Sequence, residues 1–146
     1  MRAFTNAVKG QESLGLLILR IGFGVIFLGY GISKLGDIGG VQGMFSHVGI
    51  PLSMVFGPFV AVLEVVGGLA LIVGAATRIF SLRCAVMMGV AVLTVTAGHG
   101  LMGGFDINLA LFVGLIGLVI LGAGRYSLDA QTFEKDNMAF VQTQRV

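Results

Sequence analysis

The sequence predicts an all-α integral membrane protein, an antiparallel four-helix bundle. Three observations carry that expectation. Of 146 residues, 56% are hydrophobic and 11% are charged, against about 25% charged in ordinary soluble domains. Mean hydropathy is +1.00. Glycine occurs 24 times and proline only twice, a pattern that fits closely packed membrane helices and not a collagen or a flexible linker. A soluble domain and a disordered tail are excluded. So is a disulfide scaffold, because Cys84 is the single cysteine. The net charge is +2, but the basic residues are scattered along the chain, so topology explains them better than nucleic acid does.

A bilayer core about 30 Å thick needs about 20 mostly apolar helical residues. Four segments qualify: 13–32, 52–73, 79–97 and a shorter one at 108–121. Only residues 74–78 separate the second from the third, so these two form a tight hairpin. The longer connections, 34–51 and 98–107, then lie together at the other side. Within the first, Val41, Met44, Phe45 and Val48 recur at helical spacing. This predicts a short interfacial helix, stopped by Gly49 and Pro51.

Lysines and arginines near the span ends set the orientation. Arg2, Lys9, Arg78, Arg83, Arg125, Lys135 and Arg145 fall on one side, Lys34 on the other, and Arg20 inside a span. Both termini are therefore expected in the cytoplasm and the longer loops outside, in a multi-pass protein of the inner (plasma) membrane. The first apolar run is too long for a cleaved signal and lacks a small-residue cleavage site, so it reads as a retained anchor. The expected organisation is a cytoplasmic segment 1–12, a four-helix domain 13–122 and a cytoplasmic tail 123–146, loosely ordered from Gln131.

Contact faces of membrane helices are marked by small and polar residues. Span one aligns Arg20, Gly24, Phe27, Gly31 and Lys34; span two aligns Ser53, Gly57, Ala61, Glu64 and Gly68; span three aligns Ala85, Gly89, Val92, Thr96 and His99. Span four carries Ala110, Gly114 and Gly117. A charge at the centre of a membrane helix costs about 2.5–3.5 kcal/mol, so Arg20 and Glu64 need a reason. Counting from the span ends predicts a buried Arg20–Glu64 pair with two charge-assisted hydrogen bonds. Such a pair is either a structural clasp or a polar site for a lipophilic headgroup or a proton.

Tyr30, Lys34, His99, Asp106 and Asn108 fall near the outer ends of their spans. Tyr30 and Lys34 suit interfacial anchoring as well as binding. His99, between Gly98 and Gly100, suits packing or proton exchange near neutral pH. Asp106 and Asn108 suit capping of the last span. His47 and His99 are the only histidines and lie far apart, so no metal site is expected. The glycine pairs near Gly39 and Gly103 follow no strand and support no nucleotide site.

Several segments together resemble the DoxX family of small membrane proteins. They are residues 20–22 (Arg-Ile-Gly), 31–35 (Gly-Ile-Ser-Lys-Leu), 64–69 (Glu-Val-Val-Gly-Gly-Leu), 74–78 (Gly-Ala-Ala-Thr-Arg) and 122–130 (Gly-Ala-Gly-Arg-Tyr-Ser-Leu-Asp-Ala). Arg20, Lys34, Glu64, Arg78 and Arg125 correspond to that family's recurring polar residues. Tyr30 stands where many relatives carry histidine, and a phenol does not titrate near neutral pH. The resemblance implies a four-helix membrane fold and an association with redox work, including similarity to a membrane subunit of thiosulfate:quinone oxidoreductase.

The leading expectation is thus a membrane subunit of an oxidoreductase system that binds a quinone or similar lipophilic redox compound. Glu64 and Arg20 are its expected catalytic residues, and Tyr30, Lys34, His99 and Asn108 its expected binding residues. The chain carries no cysteine pair or nucleotide motif, so activity needs a bound cofactor or a redox partner. The expected surroundings are the lipid bilayer and a homo-oligomer, without nucleic acid. A non-enzymatic scaffold that recruits a redox protein and a small proton-linked transporter are the alternatives.

Overall fold

The computed structural model describes residues 2–96 and 105–132, with side chains described over 11–94 and 105–132. Among the described residues there are helices and no strand. In chain order they are α1 (Arg2–Gly36), α2 (Ile38–His47), α3 (Ser53–Val73), α4 (Thr77–Ala91) and α5 (Asp106–Leu121), with a π-helical turn, Val92–Thr96, continuing α4. Residues 2–12 continue the helix expected to begin at Ser13.

Three helical stretches are long and apolar enough to cross a membrane: Gln11–Gly36, Ser53–Val73 and Thr77–Thr94. With 16 residues, α5 is apolar but spans only about 24 Å at 1.5 Å per residue. The outer surface is greasy, with Ile18, Val25, Met54, Val62, Val86, Val113 and Ile120 all exposed, whereas Arg20, Glu64, Thr77 and Ser81 are buried. Charges turned inward under an apolar exterior are the arrangement lipid imposes.

The small-residue stripes of α1 and α3 meet. Arg20, Gly24, Phe27 and Gly31 are buried on α1, as are Gly57, Ala61, Glu64 and Gly68 on α3. A Cβ at Gly24 would lie 2.7 Å from the Gly68 carbonyl oxygen, and one at Gly68 would lie 2.7 Å from that of Gly24. One at Gly31 would lie 2.7 Å from the Val65 nitrogen. The backbones touch, which only glycine permits. These contacts also fix the register: Gly24 opposes Gly68 and Ile72, and Gly31 opposes Ala61 and Val65.

The remaining core joins α1, α3, α4 and α5 through Phe27, Leu71, Cys84, Ala85, Met88, Leu111, Leu115 and Leu118. Here α5 corrects the expectation of a glycine face. Its buried residues are Leu111, Leu115 and Leu118, Ala110 is exposed, and Gly117 faces open space. Only Gly114 approaches another helix, against the Phe23 ring. Large side chains fill the wider gap that α5 leaves.

The helix expected around residues 41–48 is present as α2. Asp37 caps it, accepting from the Gly40 N–H at 2.9 Å, and Val41 and Phe45 face inward. The tight hairpin is present too. Gly74, at φ 73°, ends α3, and the Gly74 and Ala75 N–H groups both donate to the Ala70 carbonyl. Asp106 does not cap α5: it is the first residue of that helix, whose N-terminus has no side-chain cap.

Candidate functional site

The expected Arg20–Glu64 pair does not form. Arg20 donates from Nη1 to the Ala123 carbonyl (2.5 Å) and from Nη2 to the Tyr126 carbonyl (2.7 Å). Glu64 instead accepts from Lys34 Nζ through Oε1 at 2.5 Å. The reason is register. Counting inward from Ser13 sets Arg20 too deep, because the α3–α4 turn lies level with Arg20 itself: a Cβ on Gly74 would touch its Nη1 at 2.5 Å. Lys34 is 14 residues further along α1, about 21 Å at 1.5 Å per residue, and there α1 passes Glu64.

The two buried charges therefore sit in unlike places. Arg20 is fully enclosed, its two terminal nitrogens bonded to backbone carbonyls of the segment after α5. That segment is fastened further by Asp129. Its Oδ1 accepts from the Ala76 N–H (2.6 Å), its Oδ2 from the Thr77 N–H (2.8 Å), and its own N–H donates to the Gly74 carbonyl (3.0 Å). Asp129 thus caps α4 from more than fifty residues away, and it holds Ala76 at φ 45°, a strained backbone for a residue with a Cβ.

Lys34 and Glu64 open on a cavity of about 1,100 Å³ between α1, α3 and α4. Its polar side chains include Tyr30, Lys34, Glu64 and Asn108, and its walls are apolar, among them Phe45, Phe59, Val86 and Met87. Four of the six residues expected at the site are gathered here. Arg20 is not among the cavity's residues, and His99 lies outside the described residues. The structure adds Thr94, Arg83, Met44 and Phe45, of which the sequence marks Arg83 only as an orienting charge and Met44 and Phe45 only as one face of a short helix.

Glu64 is 1% exposed, and its Oε2 has no hydrogen-bond partner among the described residues. Lys34 is half-buried and has donors to spare beyond the one given to Glu64. Tyr30 and Asn108 add an O–H and an N–H. The site is a large, mostly apolar cavity lined by a few hydrogen-bond donors and one carboxylate. Among the described residues no three His, Cys, Asp or Glu side chains gather where they could hold a metal ion.

Apolar helices that turn Arg20 and Glu64 inward and leave greasy faces outside define a membrane protein. The chain belongs to the DoxX family, which it matches over residues 15–97. It is 31% identical over 121 residues to "Putative oxidoreductase CatD" of Bacillus subtilis, covering 83% of this chain and 89% of that one. It is 34% identical over 130 residues to "Inner membrane protein YqjF" of Escherichia coli, covering 84% of this chain and 95% of the relative. A Mycobacterium tuberculosis protein described as an uncharacterized membrane protein is 30% identical over 130 residues, with 78% of each chain covered. No solved structure gives a significant match.

Proposed function

We propose that this protein binds a quinone or similarly lipophilic redox compound in the cavity beside Lys34 and Glu64, as the membrane part of an oxidoreductase system. The cavity itself carries the reading: its volume of about 1,100 Å³ slightly exceeds the roughly 300–1,000 Å³ of ordinary ligand pockets. The residues fit the ligand class. Quinone carbonyl oxygens accept hydrogen bonds, and Lys34, Tyr30 and Asn108 supply donors in the wall of a mostly apolar cavity. Glu64 holds the Lys34 ammonium in place. A bound quinone would supply electron and proton transfer chemistry. The oxidoreductase name of the Bacillus subtilis relative agrees with a redox role.

The same reading has α1, α3, α4 and α5 crossing the inner membrane as a four-helix bundle, with α2 at the outer interface. Residues 1–12 and 123–146 then face the cytoplasm, where a redox partner supplies electrons. With one cysteine and two histidines, the chain has few groups of its own to do so.

Extraction and mass analysis of the purified protein should recover a quinone or a related phenolic lipid. Titration with a short-chain quinone should show Glu64→Gln weakening binding at least about tenfold, the effect of losing one charged hydrogen-bonded group. If Glu64→Gln folds normally and binds quinone as the native protein does, this reading is wrong.

A further inference from the structure

Four buried side-chain atoms lack a hydrogen-bond partner among the described residues: Arg20 Nε, Glu64 Oε2, Thr77 Oγ1 and Ser81 Oγ. Each of these residues is at most 1% exposed. An unpaired buried polar atom costs about 1–3 kcal/mol, and hydroxyls inside helices commonly bond the carbonyl one turn back. Thr77 opens α4 and has no such turn behind it. Ser81 has one and does not use it.

Three of these residues, Thr77 and Ser81 of α4 and Glu64 of α3, are buried on the two helices joined by the hairpin. Thr77, Ser81 and Cys84 are spaced by four and three residues on one face of α4, and all three are buried. The Cys84 sulfur packs on α3, where a Cβ at Gly67 would lie 3.0 Å from it. Glu64 is one turn from Gly67, and both are buried on the same face of α3. The axial steps are about 6 Å from Thr77 to Ser81, about 4.5 Å to Cys84, and about 4.5 Å from Gly67 to Glu64. Such steps suit single bridging waters, since two hydrogen bonds in series span about 5.5 Å.

The seam between these helices has an open end. Asp129 grips the Thr77 N–H and also lines a second cavity of about 580 Å³, with Arg78, Gly122 and Ser127. At the other end, Glu64 accepts from Lys34 through Oε1 and lines the large cavity, leaving Oε2 for the route. Buried waters settle where several polar groups lack partners.

We propose that the α3–α4 seam is a proton route, in which waters held by Thr77, Ser81 and Cys84 connect Glu64 to the small cavity beside Asp129. A proton taken up from water at Thr77 passes along the file by exchange of O–H and S–H bonds. Each group accepts one proton and releases another, and Glu64 Oε2 is the final acceptor. The return of that proton reverses every step. The route exists whatever the large cavity holds, so its test involves no ligand.

Cys84 is the only cysteine, so its S–H stretch is a single infrared band inside the route. Full-length protein in lipid nanodiscs is moved from H₂O to D₂O, and the loss of that band is timed against the slow amides of the same sample. The thiol should exchange well before those amides. Thr77→Val, which keeps the shape and removes the hydroxyl, should slow it at least about tenfold, as should Ser81→Ala, while Thr77→Ser should match the native rate. Thr77 sits at the helix end, so its two variants decide the matter if Ser81→Ala does not fold. A thiol that persists as long as the core amides overturns the proposal. So does a thiol that exchanges at the native rate in Thr77→Val.

Discussion

Arg20 and Glu64 share a burial and little else. Both are fully enclosed on small-residue stripes of adjacent helices. Arg20 gives its two terminal nitrogens to carbonyls of a segment more than a hundred residues away, beneath a glycine turn that leaves no space. Glu64 gives one oxygen to a half-buried lysine and keeps the other, at the edge of a large cavity. The first is a fastener and the second is an offer. Arg20 Nε is unpaired among the described residues as well, so what separates the two buried charges is that Glu64 lines the large cavity and Arg20 does not.

The largest test of that contrast is Arg20→Ala. It removes two charge-assisted hydrogen bonds and should cost about 3–6 kcal/mol, from about 1.5–3 per bond. The expected readouts are a large fall in Tm in detergent and new protease cutting within 123–130. Glu64→Gln keeps the shape and one acceptor, so its loss of stability should be well under half of that. Equal losses would erase the distinction between fastener and site.

Next in size is Gly68→Ala, where the new Cβ meets the Gly24 carbonyl oxygen at 2.7 Å. Forcing backbones apart should cost about 1–3 kcal/mol, seen as a lower Tm. Asp129→Ala removes the cap on α4 and should cost about 0.5–2 kcal/mol, while leaving ligand affinity in the large cavity unchanged. The smallest effect belongs to Gly22→Ala. A Cβ there meets nothing within 4 Å, so Tm should stay level or rise by the equivalent of about 0.5–1 kcal/mol. A marked loss at Gly22 would mean that another surface covers this face.

The stripes on α1 and α3 could be read in advance because helix period and small residues report faces directly. Who meets whom could not. Pairing depends on axial register, and a helix extending beyond its apolar run, as α1 does, shifts every depth counted from its start. Arg20's acceptors are main-chain carbonyls, which leave no trace in a sequence. Asp129 was visible only as one residue of a matching segment, since a cap supplied from another part of the chain lacks the local spacing of a capping box. Tyr30, Lys34, Glu64 and Asn108 were singled out by type and depth, and the cavity unites them. The file Thr77, Ser81 and Cys84 was hidden because small polar residues in an apolar helix look like ordinary packing.

The remote cap on α4 also bears on the order in which the protein can be made. The left-handed bend at Ala76 precedes α5 in the chain, yet the carboxylate that secures it is residue 129. While ribosomal synthesis proceeds N- to C-terminally, the hairpin of α3 and α4 must enter the membrane with that bend unsecured. Only after α5 is in place can Asp129 arrive and lock it. Delivery of residue 129 is thereby a physical event in the fold: it closes a latch that the earlier helices left open.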